Sequence, residues 1–262
     1  MMRGALVSAA IMASLLSLAL AAQPLIHKCS MSYEPLLPPS SRHPLGTDPV
    51  GRDALCELVA GIGASVEAGF AALASSLLVL FASLAAGVSD KAGRLVDSLA
   101  ALGAGLPRMS LLMMLALVTR LSPVEIGLLI GFLASLQGAR AAATRARQVA
   151  RSLYVEAARA IGAPRHRIVL RHIAPNSWSS IASYASIASS AAVYAEAGLS
   201  MLGLGSPATP SLGKVASLVL LTPGAILTEA GLAQLLAALA TVAILALLVH
   251  EAVSLLSRER LG

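Results

Sequence analysis

Long blocks of Ala, Leu, Val, Ile and Ser are separated along the chain by shorter polar stretches. Within the blocks, apolar positions follow neither the alternation of a half-buried strand nor the single stripe of a surface helix. Such blocks are expected where the surroundings are apolar on every side. A hydrocarbon core about 30 Å thick takes about 20 helical residues, so the pattern predicts spans near residues 4–22, 64–88, 99–118, 124–142, 176–202 and 225–248. The expected fold class is all-α, a polytopic membrane bundle of about six transmembrane helices. Residues 1–22 form the first span, 23–63 an extramembrane segment and 64–262 the core.

The polar stretches refine this division. The first block follows Arg3 and ends near Ala19-Leu20-Ala21, a small-x-small pattern that also fits a secretory signal. Five further apolar blocks make a membrane protein under either reading, and retention of the helix is expected. Residues 23–63 are rich in proline. Asp48 followed by Pro49 predicts a short helix, capped by the carboxylate, with Val50, Ala54, Leu55, Leu58, Val59 and Ile62 on one stripe. That helix suits either a membrane interface or a packed elbow. Pro107 and Arg108 fall inside the predicted third span, where both would need help from neighbouring helices. Gly127-x-x-x-Gly131 permits close helix packing in the fourth.

Composition agrees: of 262 residues, 57% are hydrophobic and 12% charged, against about 25% charged in soluble domains. The net charge of +6 raises the question of nucleic acid, but aromatic residues are only 3%, too few for stacking platforms. Placement explains the excess of cations. With a cytoplasmic N-terminus, internal segments hold Arg3, Lys91, Arg94, eight arginines of residues 138–175, Arg258 and Arg260. External segments hold Lys28, Arg42, Arg52, Arg120 and Lys214. This bias predicts a multi-pass cell-membrane protein with both termini cytoplasmic. Cys29 and Cys56 share the external segment and read as ordinary small residues or, less economically, as a disulfide.

Residues 143–175 carry the most distinctive chemistry. In Glu156-Ala157-Ala158-Arg159-Ala160-Ile161-Gly162-Ala163-Pro164, small side chains permit close approach by another protein. Gly162 can end a helix in the left-handed conformation, and Pro164 discourages its continuation. A second short helix over residues 165–173 then meets Pro175, with Asn176 or Ser177 available to cap the next span. The result is a helix-turn-helix knob held at both ends by spans, an element through which force on the knob would tilt the helices.

Here the sequence resembles the permease subunits of ATP-binding-cassette importers, whose cytoplasmic loop has a Glu-Ala-Ala, three residues, Gly pattern. Glu156, Ala157, Ala158 and Gly162 match it. The surrounding run from Tyr154 through Ala163 and Arg165 to Arg171-His172-Ile173-Ala174-Pro175-Asn176 resembles the dipeptide/oligopeptide branch. So do three more stretches: His43-Pro44-Leu45-Gly46-Thr47-Asp48-Pro49, Glu196-Ala197-Gly198-Leu199-Ser200-Met201-Leu202-Gly203 and Pro210-Ser211-Leu212-Gly213. Ala174 and Leu212 stand where that branch has a bulky residue and Trp.

The resemblance implies an alternating-access pore. It would be built with a second permease subunit, driven by two cytoplasmic ATPase subunits and fed by an external solute-binding protein. ATPase coupling would fall to Tyr154, Glu156, Ala157, Ala158, Gly162, Ala163, Arg165 and Pro175. This chain would hold no cofactor, because ATP and magnesium would be bound by the partners. Its nearest phosphate-loop pattern has Ala208 for the first Gly and Val215 for the Ser or Thr that binds magnesium. A self-contained secondary transporter is the alternative reading, and it would require inverted repeats. No catalytic constellation or metal-ligand spacing is found; His166 and His172 lack an i, i+4 partner. Glu67, Glu196 and Glu229 fall in or near spans and serve either as proton-relay candidates or as packing partners.

Overall fold

The computed structural model describes residues 2–22, 29 and 33–258. Lys28 and Arg260, counted above toward orientation, lie outside the described residues. The chain is all-helical: α1 (Met2–Ala22), α2 (Ala54–Gly87), α3 (Asp90–Gly105), α4 (Arg108–Thr119), α5 (Pro123–Ala150), α6 (Leu153–Ala160), α7 (Arg165–Ile168), a π turn (Val169–Ile173), α8 (Ala174–Met201), α9 (Leu212–Leu221), a 3-10 turn (Ala225–Leu227) and α10 (Glu229–Arg258). The centre is α2 packed against α5 and α8. α10 covers α8, and α1 lies against α2 and α10.

Three helices, α2, α5 and α10, are long and apolar enough to cross a membrane. The pair α3 and α4 makes a fourth if it is one broken span. Six spans would require α1 and the Ser-rich α8 to cross as well. The third apolar block is where the sequence expectation departs most from the structure. Helix α3 begins at Asp90, ahead of the span expected near residues 99–118, and the path bends by 75° between α3 and α4. The break sits at Leu106, because the residue before a proline is pushed out of the helical region.

The expected short helix does not start at Pro49. Asp48 instead closes a turn: its Oδ1 accepts from the backbone N–H of Val50 and Arg52, both at 2.8 Å, and Gly51 adopts φ +81°. The N-cap falls to Asp53, which accepts from Cys56 N–H at 2.9 Å, and α2 then runs unbroken for 34 residues. The expected short helix and second span are therefore one element, about 51 Å long at 1.5 Å per residue. Cys29 and Cys56 form a disulfide with Cα atoms 5.6 Å apart, tying the segment before α2 to its first turn. The reading of these cysteines as ordinary small residues is thus corrected. From the other side Gln234 of α10 donates to the carbonyls of Leu45 and Thr47.

Gly127 and Gly131 do allow close packing. A Cβ on either would overlap the carbonyl oxygens of Ala68 or Ala72 on α2, so the absent side chains set the distance between the two central helices. At the start of α5, Ser122 and Glu125 form a reciprocal capping box with Pro123 at the first helical position.

Candidate functional site

Between α5 and α8 the chain folds into an elbow. Helix α5 extends to Ala150, past the expected end of its span, because Ala139, Ala142, Ala143 and Ala146 keep a buried face while Arg140 and Arg145 stay exposed. Ser152 closes α5 by donating its hydroxyl to Val149 O at 2.6 Å. The hydroxyl makes no capping bond to α6, and the N–H groups of Val155 and Glu156 donate to the Ser152 carbonyl instead.

Helix α6 ends by two backbone bonds, Gly162 N–H to Arg159 O at 2.9 Å and Ala163 N–H to Ala158 O at 3.0 Å, with Gly162 at φ +80°. This is a Schellman termination, which needs a residue free to enter the left-handed region. The second leg differs from expectation: α7 is not a separate helix ended by Pro175. It passes through the π turn into α8, so the helical path is continuous from Arg165 to Met201. Pro175 has no N–H to give upstream, and a π turn is one way a helix absorbs such a gap. Asn176 caps nothing ahead of it, and its amide donates back to His172 O at 2.7 Å.

One face of the elbow is anchored in the bundle. Val155, Ile168 and Ile173 share one buried apolar cluster with Leu80 and Leu84 of α2, Ala146 and Val149 of α5, Ile181 of α8 and Val253 of α10. Ala158 is also buried. The opposite face is open: Tyr154, Glu156, Ala157, Gly162 and Arg165 are exposed, Ala163 is half-buried against the cluster, and Pro175 lies in the first turn of α8. The ring of Tyr154 stands 6.1 Å from that of His172. Three large apolar side chains to which the sequence assigned no role complete the outer face: Leu153, Ile161 and Leu170, exposed by 83%, 87% and 69%. Their signal was visible as isolated aliphatic residues among arginines. Beside them a cleft of about 320 Å³ is lined by Arg159, Arg165, Val88, Ala163 and Ile168, with two cations and no acid.

The carboxylates separate by environment. Glu229 is exposed in the first turn of α10, and Glu67 is half-buried in a groove with Leu16, Phe70 and Val124. Glu196 on α8 is 1% exposed and accepts three hydroxyl hydrogen bonds, from Ser65 of α2 at 2.9 Å, Ser200 of α8 at 2.9 Å and Ser211 at 2.7 Å. Ser211 is also the N-cap of α9, accepting from Gly213 N–H at 3.2 Å. A Cβ on Gly61 would come within 2.7 Å of Leu212 N, so α9 begins directly on the backbone of α2. Glu196 is therefore the common acceptor where three helices meet. Its serine donors, far apart in sequence, were not foreseen. Among the described residues, no group of three His, Cys, Asp or Glu is placed to hold a metal ion.

Comparison with known proteins matches residues 78–259 to the family model described as binding-protein-dependent transport system inner membrane component. The chain is 30% identical over 69% of its length to the oligopeptide transport system permease protein OppC of Bacillus subtilis, covering 60% of that protein. It is 33% identical over 68% of its length to the di/tripeptide transport system permease protein DppC of Pseudomonas aeruginosa, covering 62%. With the probable D,D-dipeptide transport system permease protein DdpC of Escherichia coli the figures are 30%, 65% and 58%. The chain spans about three fifths of the length of the curated relatives it matches.

Proposed function

The chain belongs to the family of binding-protein-dependent transport system inner membrane components, and from that premise we propose that it is a permease subunit of an ATP-driven importer of peptides. Its elbow passes the movement of partner ATPases into the bundle. The observation that carries this reading is the two-sidedness of the elbow. Val155, Ile168 and Ile173 are packed into the cluster that joins α2, α5, α8 and α10, while Leu153, Ile161 and Leu170 face outward. A partner gripping the outer face would push on four long helices at once. Packed interiors transmit displacement rather than absorbing it, so such a push biases the bundle between discrete arrangements, inward-open and outward-open.

In this reading the Glu156–Gly162 face seats an ATPase subunit, and the Arg159–Arg165 cleft receives an acidic group from it. Burying exposed leucine and isoleucine supplies the contact energy, and the small Ala157 and Ala160 let the surfaces approach. ATP and magnesium are held by the ATPases. A second permease subunit completes the pore, and an external binding protein delivers the solute; the peptide assignment rests on the named relatives. Orientation follows from two supports. The basic residues concentrate at the elbow end, and the Cys29–Cys56 disulfide lies at the opposite end of α2, where an oxidising compartment would preserve it.

The test is co-purification of the ATPase subunits with the chain from membranes. Ile161→Asp, at a fully open position, should leave thermal unfolding unchanged and weaken ATPase capture by roughly tenfold, as loss of an apolar anchor does. Glu156→Ala should act in the same direction. Undiminished capture by both variants, or solute uptake by the chain with no ATPase present, would overturn the reading; the second result would favour a self-contained carrier.

A further inference from the structure

At the disulfide end of the bundle a cleft of about 430 Å³ opens between the start of α2, the end of α4, the loop before α9 and α9 itself. Its volume falls within the range of small-molecule sites. Its charged lining residues are Arg52, Arg120, Lys214 and Glu57. They are not equally available.

Arg52 is already answered: its Nε donates to Asp48 at 3.0 Å and its Nη1 to Glu57 at 3.2 Å. Lys214 spends all three N–H groups on the carbonyls of Ser206, Pro207 and Thr209, at 2.6, 2.9 and 2.6 Å, holding the proline-rich loop in place. Burial pushes its ammonium below the usual lysine range. It contributes positive field but no spare donor. Arg120 is the reverse case. It is exposed, and its guanidinium makes no hydrogen bond or ion pair among the described residues. Its backbone sits at φ +45° as the C-cap of α4, a left-handed conformation disfavoured for a residue with a Cβ. Glycine would take that position freely. Arg120 instead keeps five donors at the cleft. Among these side chains and the adjoining Asp48, the cations exceed the acids by one, which suits a singly charged anion better than a dianion.

We propose that this cleft binds a small molecule carrying a carboxylate, with the Arg120 guanidinium as its anchor; the Ser217 hydroxyl on the adjoining wall already donates to Lys214 O at 3.0 Å. A planar fork matched to a carboxylate gives paired, charge-assisted hydrogen bonds. Lys214 lowers the electrostatic cost of bringing the anion in, and Glu57 in the same wall opposes a second negative charge. The cleft lies at one end of α2 and α8 and the elbow at the other, so occupancy here and force there act on the same two helices. The choice of a peptide carboxylate rests on the permease reading, but binding requires no ATPase, so the two fail by different measurements.

The measurement is equilibrium dialysis of labelled alanyl-alanine against the full chain in phosphatidylcholine nanodiscs. Saturable binding is expected, competed by unlabelled alanyl-alanine and far less by alanyl-alanine amide. Arg120→Gln should weaken it roughly ten- to a hundredfold, with Arg120→Lys retaining part of the affinity. The position is open, so wild-type thermal unfolding is expected of each variant. Absence of saturable binding, equal competition by the amide, competition by inorganic phosphate as strong as by the dipeptide, or an undiminished Arg120→Gln chain would each overturn the proposal. If Arg120→Gln lost capture of the external binding protein while dipeptide binding stayed intact, the cleft would be a docking point instead.

Discussion

Replacing Glu196 separates two roles that the sequence alone leaves together. If this buried carboxylate carried protons, Glu196→Gln would abolish transport. If it holds three helices together, the amide should nearly serve. Oε1 accepts from Ser200 and Ser211, and the amide oxygen can keep both bonds. Oε2 accepts from Ser65, and an NH2 group there can donate to a rotated Ser65 hydroxyl. The expected loss of stability is about 1 kcal/mol, a hydrogen bond to a carboxylate exchanged for one between neutral groups. Glu196→Ala is different. Ser65 and Ser200 sit within helices and can turn back to the carbonyls four residues upstream, whereas Ser211 loses its acceptor. One orphaned buried donor costs about 1–3 kcal/mol. The space left by the side chain adds about 2–3 kcal/mol, so a total of roughly 3–6 kcal/mol is expected. The assay pairs thermal unfolding of the purified chain with peptide uptake by proteoliposomes containing the full complex. The predicted pattern is uptake and unfolding close to wild type for Gln, and a clearly destabilised chain for Ala. A Gln variant that unfolds like wild type yet transports nothing would refute the positioning role and restore the relay.

Two further outcomes follow from the packing. Gly131→Leu should destabilise the bundle by more than about 2 kcal/mol, because its side chain must displace the backbone of Ala72 and the hydroxyl of Ser75; an unchanged unfolding temperature would show that α2 and α5 are not held at this distance. Cys29→Ser should remove about 2–4 kcal/mol, and reductant should lower the wild-type unfolding temperature to that of the variant without affecting the variant. A wild type insensitive to reductant would mean that the Cys29–Cys56 link does not secure the segment ahead of α2.

Much of this architecture was legible from one dimension. Apolar blocks announced the helices because a hydrocarbon environment forbids unpaired backbone polar groups. Gly162 announced a helix end because its chemistry acts within a single turn. At each mistaken boundary a competing interaction prevailed over the signal that was read. Pro49 was a valid helix start, but the Asp48 carboxylate and Gly51 closed a turn there first. Pro175 was a valid helix stop, but the π turn and the burial of Ile173 carried the helix past it.

The amino-acid sequence by itself determined that the chain is a helical membrane bundle, where its knob lies and which family it resembles, since these depend on composition, order and turn chemistry. Tertiary structure alone decided that Val155, Ile168 and Ile173 root the knob in four helices, that Leu153, Ile161 and Leu170 remain outside, and that Ser65 and Ser211 converge on Glu196. The reason is physical: which face of a helix is covered, and which hydroxyl meets which carboxylate, depend on the approach of segments distant along the chain. Periodicity carries no information about that distance.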